Sequence, residues 1–169
     1  MRPFLLADTP RLQDLYAQSI EELTADDYDE DQRMAWIERA ADAEAFAARL
    51  SKALTILVEV EGDILGFASL TETADKARRD IDMLYVHPFA AGQGVGSALV
   101  DAMEKLARAR GAESLGVEAS DTAQDFFERR GFQGVRRNTL PAGDVWLTNT
   151  TMIKPLVTKP AGSPSETRP

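Results

Sequence analysis

Three glycines, Gly92, Gly94 and Gly96, stand on alternate positions just beyond the apolar segment "IDMLYVHP", with Gln93, Val95 and Ser97 interleaved or following. Glycine adopts positive φ and lets a ligand come close to the backbone. Successive N–H groups in such a turn, followed by a helix N-terminus, make a cradle for an anion. Ser97 adds a hydroxyl donor. The run has no lysine followed by Ser or Thr at the position a P-loop requires. "GQGVGS" also departs from the G-x-G-x-x-G of dinucleotide sites, and no such loop lies near the first strand. Taken alone, a glycine-rich turn serves equally well as a tight strand-to-helix connection.

Titratable groups cluster in front of this loop. Asp80 and Asp82, two residues apart on a strand, fall on one face. Asp80 is next to Arg79 and reads as an ion-paired residue at the strand's start. Tyr85 alternates to the face opposite Asp82, which assigns it to core packing. His87 precedes Pro88 at the strand's end, where a structural or exposed role is the commoner one. Upstream, Glu21, Glu22, Asp26, Asp27, Asp29, Glu30 and Asp31 form a dense acidic run with Tyr28 inside it and Trp36 just beyond. Such a run is either a solvated loop or a rim that attracts a cation, with the aromatics as a wall able to face one.

The elements that must position these groups alternate along the chain. Pro3–Ala7 reads as a short strand. Asp8 or Thr9 caps a helix with Pro10 in its first turn, running to about Leu23 on Leu12, Leu15, Tyr16 and Ile20. Helical stretches follow at about Asp31–Arg39 and Ala43–Ser51. Leu54–Val60 and Ile64–Thr71 form a hairpin around "EGD". Asp80–Val86 leads into the glycine loop. An amphipathic helix covers about Val95–Arg110, with Gly111 as its stop. Ser114–Ala119 is a strand, Asp121 or Thr122 caps a short helix ending at Gly131, and Phe132–Leu140 with Val145–Ile153 close as a hairpin. This order predicts a mixed α/β domain on a largely antiparallel sheet of about seven strands flanked by four to five helices.

Bulk composition narrows the function classes. The chain has 169 residues, which favours a single domain, placed at residues 1–154. The last segment, "PLVTKPAGSPSETRP", is rich in proline and predicts a flexible tail over residues 155–169. A formal charge of -9 argues against sequence-independent nucleic-acid binding. With no cysteine and a single histidine, there is no thiolate nucleophile, disulfide framework or His/Cys metal site. No apolar run reaches the roughly 18 residues of a spanning helix, so a cytoplasmic protein is expected.

Taken together, "AGQGVG", the preceding "LYVHP", the later "FFERRGF" and the element order resemble the GNAT superfamily of N-acetyltransferases, over about residues 2–154. The resemblance implies acetyl-CoA as co-substrate, no metal, and an amine acceptor that is a small molecule or a protein amino group. Leu84, Tyr85 and Val86 would pair their backbone with the pantetheine arm. Amides from Gly92, Gln93, Gly94, Val95, Gly96 and Ser97 would hold the pyrophosphate, with Ser120 and Ala123 facing the cofactor. Arg129 would reach a phosphate, although Arg129 and Arg130 read equally as a solvated helix face. Two positions depart from the family's pattern. Ala91 replaces a Gln or Arg, which removes one side chain but no amide. Phe127 replaces a tyrosine that protonates the leaving thiolate, and phenylalanine has no proton to give.

For the amine, the resemblance implies a nearby carboxylate as proton acceptor, and Asp82 is the first choice for acid–base work or amine binding. The family borders its acceptor site with the segment after the first helix, which brings in Tyr28 and Trp36. No side chain is positioned for a covalent intermediate, so the amine attacks directly in a ternary complex. The alternative, kept open by Phe127, is a non-catalytic acyl-CoA-binding regulatory module. Oligomeric state stays open, a homodimer included.

Overall fold

A computed structural model of the chain describes residues 1–157. Seven strands form one sheet: β1 (Arg2–Pro3), β2 (Leu54–Val60), β3 (Asp63–Glu72), β4 (Arg78–Val86), β5 (Ser114–Ser120), β6 (Gln133–Ala142) and β7 (Val145–Pro155). Their spatial order is β1-β2-β3-β4-β5-β7-β6, and every adjacent pair is antiparallel except β4–β5. Five helices cover the sheet: α1 (Thr9–Leu23), α2 (Glu30–Glu38), α3 (Ala43–Lys52), α4 (Val95–Ala109) and α5 (Asp121–Arg129). The mixed, mostly antiparallel architecture expected from the element order is the one observed.

Local chemistry sets the boundaries. Asp29 accepts from the Gln32 N–H and Gln32 reaches back to the Asp29 N–H, a reciprocal cap that starts α2. Asp42 accepts from the Ala45 N–H and starts α3. Glu61 and Gly62, at φ 51 and 90, close the β2–β3 turn in the conformation that matches strand twist. The first strand is shorter than the expected Pro3–Ala7. The Asp8 carboxylate accepts from the Leu5 N–H and from Arg2, and the chain coils into a 3-10 turn at Leu6–Asp8 instead.

Two apolar layers pack on the two faces of the sheet. On one, the α4 stripe of Val95, Leu99, Val100, Met103 and Ala107 is buried with Ala68, Leu115, Val117, Phe127 and Phe132. On the other, Leu12, Tyr16 and Ile20 of α1 and Phe46 and Leu50 of α3 pack on Leu57, Phe67 and Met83. Helix α4 sits so close to β3 that a Cβ at Gly66 would lie 2.9 Å from Val95 Cγ1 and 3.0 Å from the Tyr85 carbonyl. At its far end β7 runs through Pro155, and Leu156 is buried with its N–H on the Glu113 carbonyl. The chain is therefore still anchored where the flexible tail was expected to begin. The rest of that tail, from 158 onward, lies outside the described residues.

Candidate active site

Strands β4 and β5 pair over four rungs, from Arg78↔Ser114 to Ile81↔Val117, and then stop. Beyond that rung β4 continues to Val86 and β5 to Ser120 with no pairing between them. The parting leaves one edge of Asp82–Val86 without a strand partner, since only β3 pairs with it on the other side. Every second N–H and C=O of a strand points to one side, so this edge offers backbone groups to an extended ligand. A cleft of about 580 Å³ fills the gap. Leu84, Tyr85 and Val86 line it from β4, Ser120, Ala123 and Phe127 from β5 and α5, and Ser19, Ile20 and Leu23 of α1 with its C-cap Thr24 complete the lining.

The glycine loop closes one end of this cleft. Ala91, Gly92, Gly94, Gly96 and Ser97 all line it. Gly92 and Gly94 hold φ of 75 and 84, which side chains disfavour. Gly94 is the N-cap of α4 and supplies no side-chain cap. The first intrahelical bond runs from the Ala98 N–H to the Gly94 carbonyl at 3.0 Å, so the N–H groups of Val95, Gly96 and Ser97 have no helical acceptor. Orphan donors at the positive end of a helix dipole suit a phosphate.

Two loop residues turn their side chains away from the cleft, and Arg129 lies off it. Gln93 turns back and donates to the Phe89 carbonyl at 2.6 Å. Val95 points down into the α4 core against Gly66. Arg129 is exposed at the end of α5 and does not line the cleft, as the solvated-face reading has it. Its neighbour Arg130 is used structurally: its guanidinium lies 5.8 Å from the Phe126 ring centroid and pairs with Asp101 of α4. Phe127 is 2% exposed, wedged between Phe126 and Phe132.

A second, smaller cavity of about 280 Å³ opens on the same gap from the α1–α3 face. It shares Trp36, Tyr85, Glu118, Ser120 and the β4 stretch Ile81–Met83 with the larger cleft. Tyr28 and Trp36 both line it, in edge-to-face contact at 5.3 Å. The Tyr28 hydroxyl is already committed: it donates to the Thr148 carbonyl at 2.7 Å and accepts from the Asp121 N–H at 2.9 Å. Trp36 donates to the Tyr85 hydroxyl at 3.3 Å. Burial pushes the Tyr85 phenol well above its ordinary pKa and raises that of Tyr16, so both stay neutral and act as hydrogen-bonding groups, not bases.

Tyr85 does not stand on the face opposite Asp82. Ser69 pairs with Met83 and Leu70 with Ile81, which leaves Asp82 as the extra residue of a β-bulge. The bulge breaks the alternation, so Asp82, Met83 and Tyr85 all reach the same cavity. Here Asp82 accepts from Arg49 of α3 through both oxygens, at 2.8 and 2.9 Å. That pair raises the Arg49 pKa. Asp80 is likewise held through both oxygens, but by Arg78 and not by the adjacent Arg79. A Cβ at Gly116 would lie 2.3 Å from Asp80 Oδ1, so glycine there is what lets this pair lie across β5.

The third carboxylate of the cavity, Glu118, makes no ion pair among the described residues. It is exposed, and its one side-chain hydrogen bond among them comes from the Asn149 amide at 3.4 Å. Asp82 and Glu118 are the first residues past the last paired rung, one on each parting strand. Sequence reasoning passed over Glu118. Its signal was a lone charge between Val117 and Ala119, two residues of an otherwise inward-facing set.

Two other candidates lie apart. His87 lines a shallow depression with Arg11, Asp14 and Asp63, away from both cavities. None of the seven carboxylates of Glu21–Asp31 lines the smaller cavity. Asp29 caps α2, Asp27 accepts from Thr122 at 2.7 Å, and all seven are exposed. The segment borders the site through Tyr28, not through its charge.

The family model described as an acetyltransferase (GNAT) domain matches residues 24–154. Among curated proteins, the chain is similar to the uncharacterized N-acetyltransferase YafP of Escherichia coli (strain K12), with 29% identity over 149 residues, 88% of this chain and 91% of that one. A crystal structure of a GCN5-related N-acetyltransferase from Rhodopseudomonas palustris is 47% identical, with a TM-score of 0.83 over 91% of this chain and 93% of that one. The PaiA N-acetyltransferase of Thermoplasma acidophilum, solved with coenzyme A, is 18% identical with a TM-score of 0.76, over 91% of this chain and 96% of that one, and shares the fold. By fold, loop and family match, the chain belongs to the GNAT superfamily of acetyl-CoA-dependent N-acetyltransferases.

Proposed function

We propose that the chain acetylates a small primary amine by direct attack in a ternary complex, with Glu118 as the proton acceptor and Asp82 orienting the amine. The observation that carries this reading is the parting of β4 and β5 beyond Ile81↔Val117, which joins the two cavities at the point where both carboxylates stand. The coenzyme A complex of the Thermoplasma relative supports acetyl-CoA as the occupant of the larger cleft.

When bound, acetyl-CoA supplies a thioester carbonyl open to an amine and a thiolate able to leave. The chain's own groups do the rest. The open edge of Asp82–Val86 aligns the pantetheine arm as an added strand, and the α4 amides hold the diphosphate. An amine in the smaller cavity meets Glu118 and Asp82 at its cofactor-facing end. Glu118 takes a proton from the bound ammonium, directly or through water, to free the nitrogen lone pair; that nitrogen then attacks the carbonyl, gives its second proton to solvent, and the C–S bond breaks to release the thiolate. Glu118 takes this role because its oxygens are not held by a guanidinium. For Asp82, taking the proton would mean breaking two bonds to Arg49. Phe127 gives no proton, and a thiol with an ordinary pKa of about 8.5 leaves as thiolate without a dedicated acid.

Titration calorimetry with acetyl-CoA, paired with a thiol-release assay over an amine panel, tests the reading. Saturable binding together with amine-dependent thiol release is expected. Binding without turnover on any amine would leave a non-catalytic module, and no binding would remove the site assignment altogether.

A further inference from the structure

We propose that the acceptor is a compact amino acid: a primary amine carrying its own carboxylate, which Arg39 receives. This rests on the acetyl-transfer reading for the amine end. The anion end is carried by a separate observation. The smaller cavity is lined by five charged side chains, Arg39, Arg49, Asp80, Asp82 and Glu118. Asp82 is matched to Arg49 within the wall, and Asp80 to Arg78. Two charges remain. Among the described residues Glu118 makes no ion pair, only the Asn149 hydrogen bond, and Arg39, exposed like Glu118, makes no side-chain hydrogen bond or ion pair. The cavity thus leaves one cation and one anion over, the complement of a zwitterion.

Their placement gives the ligand a direction. Glu118 lines both cavities, so it marks the end next to the cofactor. Arg39 lines the smaller cavity alone, from the C-cap of α2. Tyr16, Trp36 and Tyr85 line the same cavity, with Tyr85 4.5 Å from the Tyr16 ring and 6.5 Å from that of Trp36. An amine held at Glu118 faces the thioester, and a carboxylate on the same molecule faces the planar fork of Arg39. The proximity of Arg39 is also felt by the Tyr16 phenol, whose pKa its charge lowers against the larger effect of burial. A volume of about 280 Å³ is at the small end for a ligand site. It admits an amino acid more readily than a folded protein's terminus.

Matched acceptors test this: free amino acids against their C-terminal amides, which keep the amine and remove the negative charge. The expected result is a preference for the acid of about tenfold or more in kcat/KM, the size of one charge-assisted hydrogen-bond pair. The preference should collapse in Arg39→Gln and return in part in Arg39→Lys. Amides acetylated as well as acids, or a preference untouched by Arg39→Gln, would overturn the inference and point to protein amino groups. Calorimetry of the same acids and amides on coenzyme A-saturated protein gives a readout free of turnover. Acid binding that weakens about tenfold in Arg39→Gln supports the anion site even if no amine is acetylated, whereas equal binding of acid and amide removes it. Failure of all turnover with acid binding intact would fault the acetyl-transfer reading and leave the anion site standing.

Discussion

Replacing Glu118 by Gln and, separately, Asp82 by Asn separates chemistry from architecture at the parting of β4 and β5. Glu118 is exposed and makes one long hydrogen bond, at 3.4 Å, so Glu118→Gln should leave the melting temperature within about 1 °C of wild type. If Glu118 receives the amine proton, kcat should fall by about 10²–10⁴. Asp82 presents the opposite case. Its side chain is 26% exposed and its partner Arg49 49%, joined through two bonds of 2.8 and 2.9 Å. Screening limits such a pair to about 1 kcal/mol, or about 2–4 °C in a chain of this size. Asp82→Asn should therefore lower the melting temperature by that amount, and lower kcat less than Glu118→Gln does. The assay is acetyl-dependent thiol release as a function of pH, with acetyl-CoA affinity measured on each variant. A larger kcat loss in Asp82→Asn than in Glu118→Gln, at unchanged acetyl-CoA affinity, would refute the assignment and return the proton to Asp82.

Other consequences follow from the same geometry. Gly94 has φ 84 and open space around its missing Cβ, so Gly94→Ala costs conformation alone, about 1–2 kcal/mol; calorimetry should show acetyl-CoA binding weakened by roughly tenfold. Tyr28→Phe strips a bridge of two hydrogen bonds between the α1–α2 loop, β7 and α5, and should lower stability by about 1–3 kcal/mol while raising the amine KM more than the acetyl-CoA KM. The Asp8 carboxyl is held below its usual pKa by the Arg2 guanidinium, and Asp121 by that of Arg137. A depressed folded pKa means this stability is complete above the unfolded value of about 3.9 and is lost as pH falls through the folded one. Thermal melts should therefore drop below about pH 4, and less steeply in Asp8→Asn.

Periodicity and glycine chemistry are local, and they were legible. The α4 stripe at Val95, Leu99, Met103 and Ala107 repeats at helical spacing, and its start is set by Gly94. The β2 boundaries, Leu54–Val60, follow directly from the apolar run and the Glu61–Gly62 turn. The glycine loop was readable for the same reason: its positive-φ glycines and the free amides at the start of α4 lie within one short segment.

By itself the sequence determined the element order, the glycine loop after β4 and the family it signals, because each depends on neighbours within a few residues. Tertiary structure decided the charges of the smaller cavity. Arg49 reaches Asp82 across 33 positions, and Tyr28 bonds Thr148 across 120. Pairings of that separation leave no period in the chain. The bulge at Asp82 likewise depends on how β3 and β4 register, since one extra residue reverses which face every later side chain takes. For that reason Asp82 could be named from sequence but not its commitment to Arg49, and neither the unclaimed Glu118 nor the unclaimed Arg39 emerged until the strands were seen to part.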